Sequence, residues 1–238
     1  MRSLIAHTAT LAALVLPLTA VADMKLGAYV IPGVLEANKS GDYDKILQKV
    51  AEAGGVPVNY AVLPAARLED EFKAGSLDCI FPLDARFWDG SEKLNTEPVN
   101  VAKIYIFSKA GEGPYTSLDA LKGKTVGIRN GISYGPKTKT NAVKLEAVSD
   151  DDKNVQKLNA GRIAAFLSFV PDMWFWAKEK KQALPNHDPK QPFDVHKDAF
   201  LCRDNKATQD FVKGFNAGIV KLRASGELKA LLGESYVP

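Results

Sequence analysis

The sequence predicts an α/β protein of two lobes, each a mostly parallel sheet flanked by helices, with the lobes joined by two hinge strands. Three observations predict it. Two β-α-β-α-β patterns follow one another, at 25–81 and 124–169. An extended apolar segment, 101–109, separates them. An apolar strand-like run, 193–202, comes after the second pattern and leads into a helical tail at 208–232, so the chain crosses out and returns. The first lobe is then discontinuous, 23–101 with 203–238, and the second is 102–202.

Each element has a local cause. In the first pattern 25–30 is a strand, and 43–53 is a helix with Ile46, Leu47, Val50 and Ala51 on one face, stopped by Gly54-Gly55. Residues 56–63 form the second strand, 65–74 a helix with Leu68 and Phe72 inward, and 77–81 the third strand. Helices between strands supply the crossovers that parallel pairing needs. In the second pattern Ser117 caps a short helix at 118–122, and 124–128 is a strand. Residues 131–135 turn into another helix, and 144–148 is the next strand. Asp150, Asp151 and Asp152 open a helix at the end where the dipole favours carboxylates. Residues 163–169 form an apolar strand, and in the helix at 171–180 Met173, Trp174, Phe175 and Trp176 read as packing. The Pro- and Lys-rich stretch 184–196, with His187 and His196, reads as a surface loop. The tail carries Phe211, Val212, Phe215, Ile219 and Leu222 as a buried stripe, broken at Ser225-Gly226.

Composition narrows the function. The chain has 238 residues, 46% hydrophobic and 25% charged, with a net charge of +3. That balance excludes a disordered tail, a collagen-like rod and a multi-pass membrane protein. No basic block stands out, so no nucleic-acid partner is expected. Residues 1–22 read as a secretory signal: Arg2, the apolar LAALVL at 11–16, Pro17, and Ala20-Val21-Ala22 with cleavage after Ala22. The expected location is the periplasm. Cys79 and Cys202 would then meet an oxidising compartment; both lie in apolar runs, so a bridge and two buried thiols are both open readings. Three histidines, no phosphate loop and no Gly-x-Ser-x-Gly elbow point to no metal, no cofactor and no enzymatic activity.

Four segments in order resemble solute-binding protein family 3, the type II periplasmic binding proteins: AGSLDC at 74–79, TSLDALKGKTVGIRNG at 116–131, KLNAGRI at 157–163, and the tail from Phe200 to Leu232. The resemblance covers nearly all of 25–236. It implies two lobes that close on a small solute, amino-acid-like or an organic acid, in the cleft between them. It also implies a monomer working with an ABC permease of the inner membrane. Members bind an α-carboxylate with an arginine and a helix start, and an amine with an acid. Carried over residue by residue, Ser133 stands where the family has a hydroxyl residue at a helix start, with capping as its other role. Arg86 follows the third strand earlier than the family's arginine. Phe169 stands where the family has its amine-binding acid, and could offer a cation only its ring face. Arg67 begins the second helix, where it meets an anion or points to solvent. Asp84 and Trp88 lie in the loop past the third strand, at the end of the sheet where such folds place ligands; Trp88 covers the cleft or packs on a lobe. Tyr29 ends the first strand, to stack on a ligand or fill the core. The resemblance leaves two other readings open, a sensor or accessory protein of the same fold and a small periplasmic dehydratase.

Overall fold

The computed structural model describes residues 24–170 and 172–233; the expected leader at 1–22 lies outside the described residues. In the first sheet β1 (Leu26–Tyr29) lies parallel to β2 (Tyr60–Leu63) on one side and β3 (Cys79–Phe81) on the other, with Leu26 opposite Tyr60 and Cys79. Helices α1 (Asp42–Gly54) and α2 (Ala65–Lys73) make the crossovers. Helix α1 forms because Tyr43, Ile46, Leu47, Val50 and Ala51 share a buried face, and it ends at Gly55, whose φ of 68° is left-handed. A short strand β4 (Leu94–Asn95) lies at the far edge.

The second sheet begins with β5 (Asn100–Ser108) and continues with β6 (Thr125–Arg129) and β7 (Lys144–Val148). After α3 (Asp151–Asn159), β8 (Ala165–Val170) and α4 (Asp172–Lys180), the chain returns through β9 (Asp194–Asp198). The order is β7-β6-β8-β5-β9, with β6 parallel to β7 and β8, and β5 antiparallel to β8 and β9. The chain then re-enters the first sheet as β10 (Leu201–Cys202), antiparallel to β3 and β4. Helices α5 (Lys206–Ala224) and α6 (Glu227–Leu232) pack back on α1. None of the described helices is long and apolar enough to cross a membrane.

The two crossings run side by side. Thr96 N–H donates to the Phe200 carbonyl at 3.0 Å, the Phe200 N–H to Thr96 Oγ1 at 3.0 Å, and Val99 N–H to the Asp198 carbonyl at 2.8 Å. Asn100 and Val101 already pair in the second sheet, whereas Leu201 and Cys202 pair in the first. The returning strand is therefore two strands, bent where Phe200 plunges among Phe81, Phe211 and Phe215 of the first lobe.

Two expectations change. The stretch 184–196 is not all surface loop, because Asp194, His196 and Asp198 alternate inward on β9 and are buried, with His196 hydrogen-bonded to Asp198. Residues 131–135 do not turn into an α-helix. Only a 3₁₀ turn, Pro136–Thr138, follows them, in a polar run with no apolar residues at helical spacing to bury. The acidic start at 150–152 does cap α3: Asp150 accepts the Lys153 N–H at 2.9 Å.

Cys79 and Cys202 sit opposite each other on β3 and β10 and are bonded, closing a loop of sequence separation 123. Reduction should lower the unfolding free energy by about 2–4 kcal/mol, because the bridge restricts the unfolded chain. Thermal melts with and without reductant check this; identical melting, with two titratable thiols before reductant is added, would contradict it. At the α1–α5 contact a methyl on Gly218 would run into the Val50 carbonyl. Helix propensity alone would make Gly218→Ala stabilising by up to about 1 kcal/mol. Overpacking reverses the sign, to a loss of about 1–3 kcal/mol in urea unfolding; a gain would show that the helices do not approach this closely.

Candidate functional site

Where the two lobes meet, the chain forms a partly open cavity of about 60 Å³. The first lobe walls it with uncharged groups, Tyr29, Val34, Tyr43 and Leu83 among them. The second lobe supplies Arg129, Phe169, Asp172, His196 and Asp198. The lobes touch on both sides of it. The Phe87 ring lies against Gly135, Asp89 pairs with Lys139 at 2.6 Å, and Arg86 Nη2 donates to the Val195 carbonyl at 2.7 Å. One buried apolar cluster runs across the seam, from Leu68, Phe72 and Ile80 to Ile104, Val126 and Leu167. These contacts bring the lobes together around a cleft that stays partly open.

Arg129 ends β6, at the strand terminus where open α/β sheets expose their loops. Its Nη1 lies 3.2 Å from Asp151 Oδ2 and 3.0 Å from Asp172 Oδ2, and its side chain is only 13% exposed. Asp151 stands in the first turn of α3 and Asp172 in the first turn of α4, so both carboxylates sit where helix dipoles favour them. Burial works against the guanidinium charge, but the two aspartates outweigh it and hold its pKa above the ordinary value. Burial pushes the Asp172 carboxyl up to about 6; Arg129 opposes the rise, and Asp151 and Asp198 add to it. Asp151 is raised too, chiefly by burial and against Arg129.

On the hinge side the Asp84 N–H donates to His196 Nε2 at 3.1 Å, and His196 Nδ1 is 2.9 Å from Asp198 Oδ1. An accepting Nε2 leaves the proton on Nδ1, so these two bonds are satisfied by the neutral imidazole. Tyr43 donates its hydroxyl to Asp198 Oδ2, and Asn100 Nδ2 donates to the Tyr43 oxygen at 3.2 Å. Burial, then the Asp198 charge, raises the Tyr43 pKa well above the phenol value, so it remains a donor.

Of the seven residues singled out from the sequence, Tyr29, Ser133 and Phe169 line the cavity. Tyr29 donates to Glu69 Oε1 at 3.2 Å, the Ser133 Oγ accepts the Gly135 N–H at 3.4 Å, and Phe169 stacks on Tyr134 with centroids 5.4 Å apart. The other four stand elsewhere. Arg67 is solvated and paired with Glu71 one helical turn on. Trp88 packs on Phe72 and donates to Glu92 Oε2 at 2.8 Å. Asp84 and Arg86 tie the lobes together: the Asp84 carboxylate accepts from Arg86 and from the Lys197 N–H, and Arg86 spans to β9. Burial raises the Asp84 pKa, but those donors outweigh it and leave it below the usual value.

Tyr43, Arg129, Asp172, His196 and Asp198 were missed. Arg129 and Asp172 both follow the rule that ligands meet strand ends, since they stand at the end of β6 and just past β8. His196 and Asp198 had a signal in their period-two spacing, which matches one face of a strand.

No protein family and no curated protein matches the chain by sequence. Solved structures do match by shape. The GluR0 ligand-binding core from Nostoc punctiforme, in complex with L-glutamate, superposes with a TM-score of 0.70 at 16% identity, covering 90% of this chain and 100% of that one. A histidine kinase sensor domain with similarity to periplasmic binding proteins gives 0.69 at 16% identity, covering 90% and 97%. The substrate-binding protein of an amino acid ABC transporter gives 0.66 at 18% identity, covering 90% and 98%. With its two mixed sheets, its paired crossings and these neighbours, the chain has the type II periplasmic binding protein fold.

Proposed function

We propose that this protein is a solute-binding protein. Its lobes close on a small polar solute at the cavity between Tyr29, Tyr43, Arg129 and Asp172, and open to release it. After export to the periplasm it presents the solute to an ABC-type permease. The observation that carries this reading is the cavity at the seam, with buried charged groups on one wall and uncharged ones on the other. A cavity of about 60 Å³ has room for a molecule of a few heavy atoms, since one water needs roughly 10–15 Å³ by the same measure. Closure removes such a solute from water and strengthens its polar contacts. Catalysis is not part of the reading: the buried titratable groups are committed to one another by ion pairs and hydrogen bonds.

Native mass spectrometry of the protein as isolated should show a small-molecule adduct that denaturation releases, and that compound should raise the melting temperature of the stripped protein. An adduct-free protein whose melting responds to no amino acid, organic acid or amine would remove the reading.

Asp172 makes stability depend on pH in a stated direction. Its folded pKa of about 6 lies above the unfolded carboxylate value near ~4, so the folded state holds the proton more tightly. Its contribution is present below about pH 4 and is lost as pH rises to about 6. Asp172→Asn stays neutral and removes that decline, worth up to about 3 kcal/mol. Urea unfolding at pH 4, 5, 6 and 7 should show a shallower loss in the variant; parallel curves would contradict this role.

A further inference from the structure

The charge on the cavity wall names the class of solute, on the strength of the solute-binding reading. We infer that the cavity takes a small organic cation without a carboxylate, a primary or methylated amine, and that Asp172 is the residue that turns amino acids away.

The cations that would hold a carboxylate are charge-paired with acids or lie elsewhere. Arg129 Nη1 is shared between Asp151 and Asp172. Arg86 is spent on Asp84 and the Val195 carbonyl, and Arg67 on Glu71, both away from the cavity. The loop at 131–135 leads directly into a 3₁₀ turn and not an α-helix, so it presents no row of helix N–H groups. The helices that do start at this wall, α3 and α4, hold their own Asp151 and Asp172 in the first turn.

What remains favours a cation. Two buried carboxylates, Asp151 and Asp172, are paired with one guanidinium, and a third, Asp198, lines the same cavity bonded to Tyr43 and His196. The walls carry the rings of Tyr29, Tyr43 and Phe169, whose faces attract ammonium groups. An ammonium brings positive charge to a place short of it, whereas a carboxylate adds a negative charge to an excess.

The test pairs each amine with the amino acid of the same skeleton: methylammonium with glycine, ethylammonium with alanine, and tetramethylammonium with betaine. The full protein is unfolded and refolded to strip retained solute, then titrated calorimetrically at pH 8, where Asp172 is ionised. The amine of at least one pair should bind at least tenfold more tightly than its partner. Asp172→Asn should shift that ratio toward the amino acid by at least tenfold. If an amino acid equals or exceeds its amine in every pair that binds, this inference fails while solute binding stands. If neither class binds and the isolated protein carries no solute, both fail together. The wild-type pairs decide the matter even where the variant does not fold.

Discussion

Everything at the seam depends on keeping one guanidinium charged and dry. Arg129 is buried at the end of a central strand, and a buried charge persists only when it is paired and hydrogen-bonded. Asp151 and Asp172 meet that need from the first turns of two helices. This arrangement fixes how the ends of β6 and β8 sit relative to α3 and α4, and so shapes one wall of the cavity. It also leaves that wall with an excess of negative charge, because the pairing uses two acids for one base.

The opposite wall is held by different means. The first lobe offers rings and aliphatic groups, and its polar links to the second lobe converge on the crossing strands. Asp84 meets His196 and Lys197, Arg86 meets Val195, and Tyr43 meets Asp198. These contacts lie next to the two antiparallel crossings, where a small change in backbone angle moves one lobe against the other with least disturbance to either core. The contacts farther out, Phe87 on Gly135 and Asp89 with Lys139, are the ones a hinge motion would separate. The Asp89–Lys139 pair is well exposed and adds little energy, as suits a contact that must break.

Much of the fold was legible because its parallel strands and helices have strong periodicity and glycine stops. The strands at 25–30, 77–81, 124–128 and 144–148 and the helix over 43–53 are read from residues that pack locally. The missed site residues share one cause, burial of polar groups by partners distant in sequence, whereas the helix expected after 131–135 failed for want of an apolar face. His196 looks like a loop residue until Asp84, 112 positions away, donates to it. An arginine has a similar ambiguity: Arg67 is captured by Glu71 and Arg86 by Asp84, both neighbours in the chain, whereas Arg129 is captured by residues on two later helices. Ser133 and Phe169, placed by the resemblance, and Tyr29, placed by ending β1, line the cavity, whereas Asp84 and Trp88, placed by the strand-end rule, do not. The charged half of the site needed the tertiary structure.

The central claim is that two rigid halves enclose a guest and part to let it go. Small-angle X-ray scattering on the refolded, solute-free protein and on the same protein resaturated with the compound it carries when isolated tests this most directly. The account predicts a larger radius of gyration without the compound and contraction when it is restored. Superimposable scattering curves in the two states would contradict it.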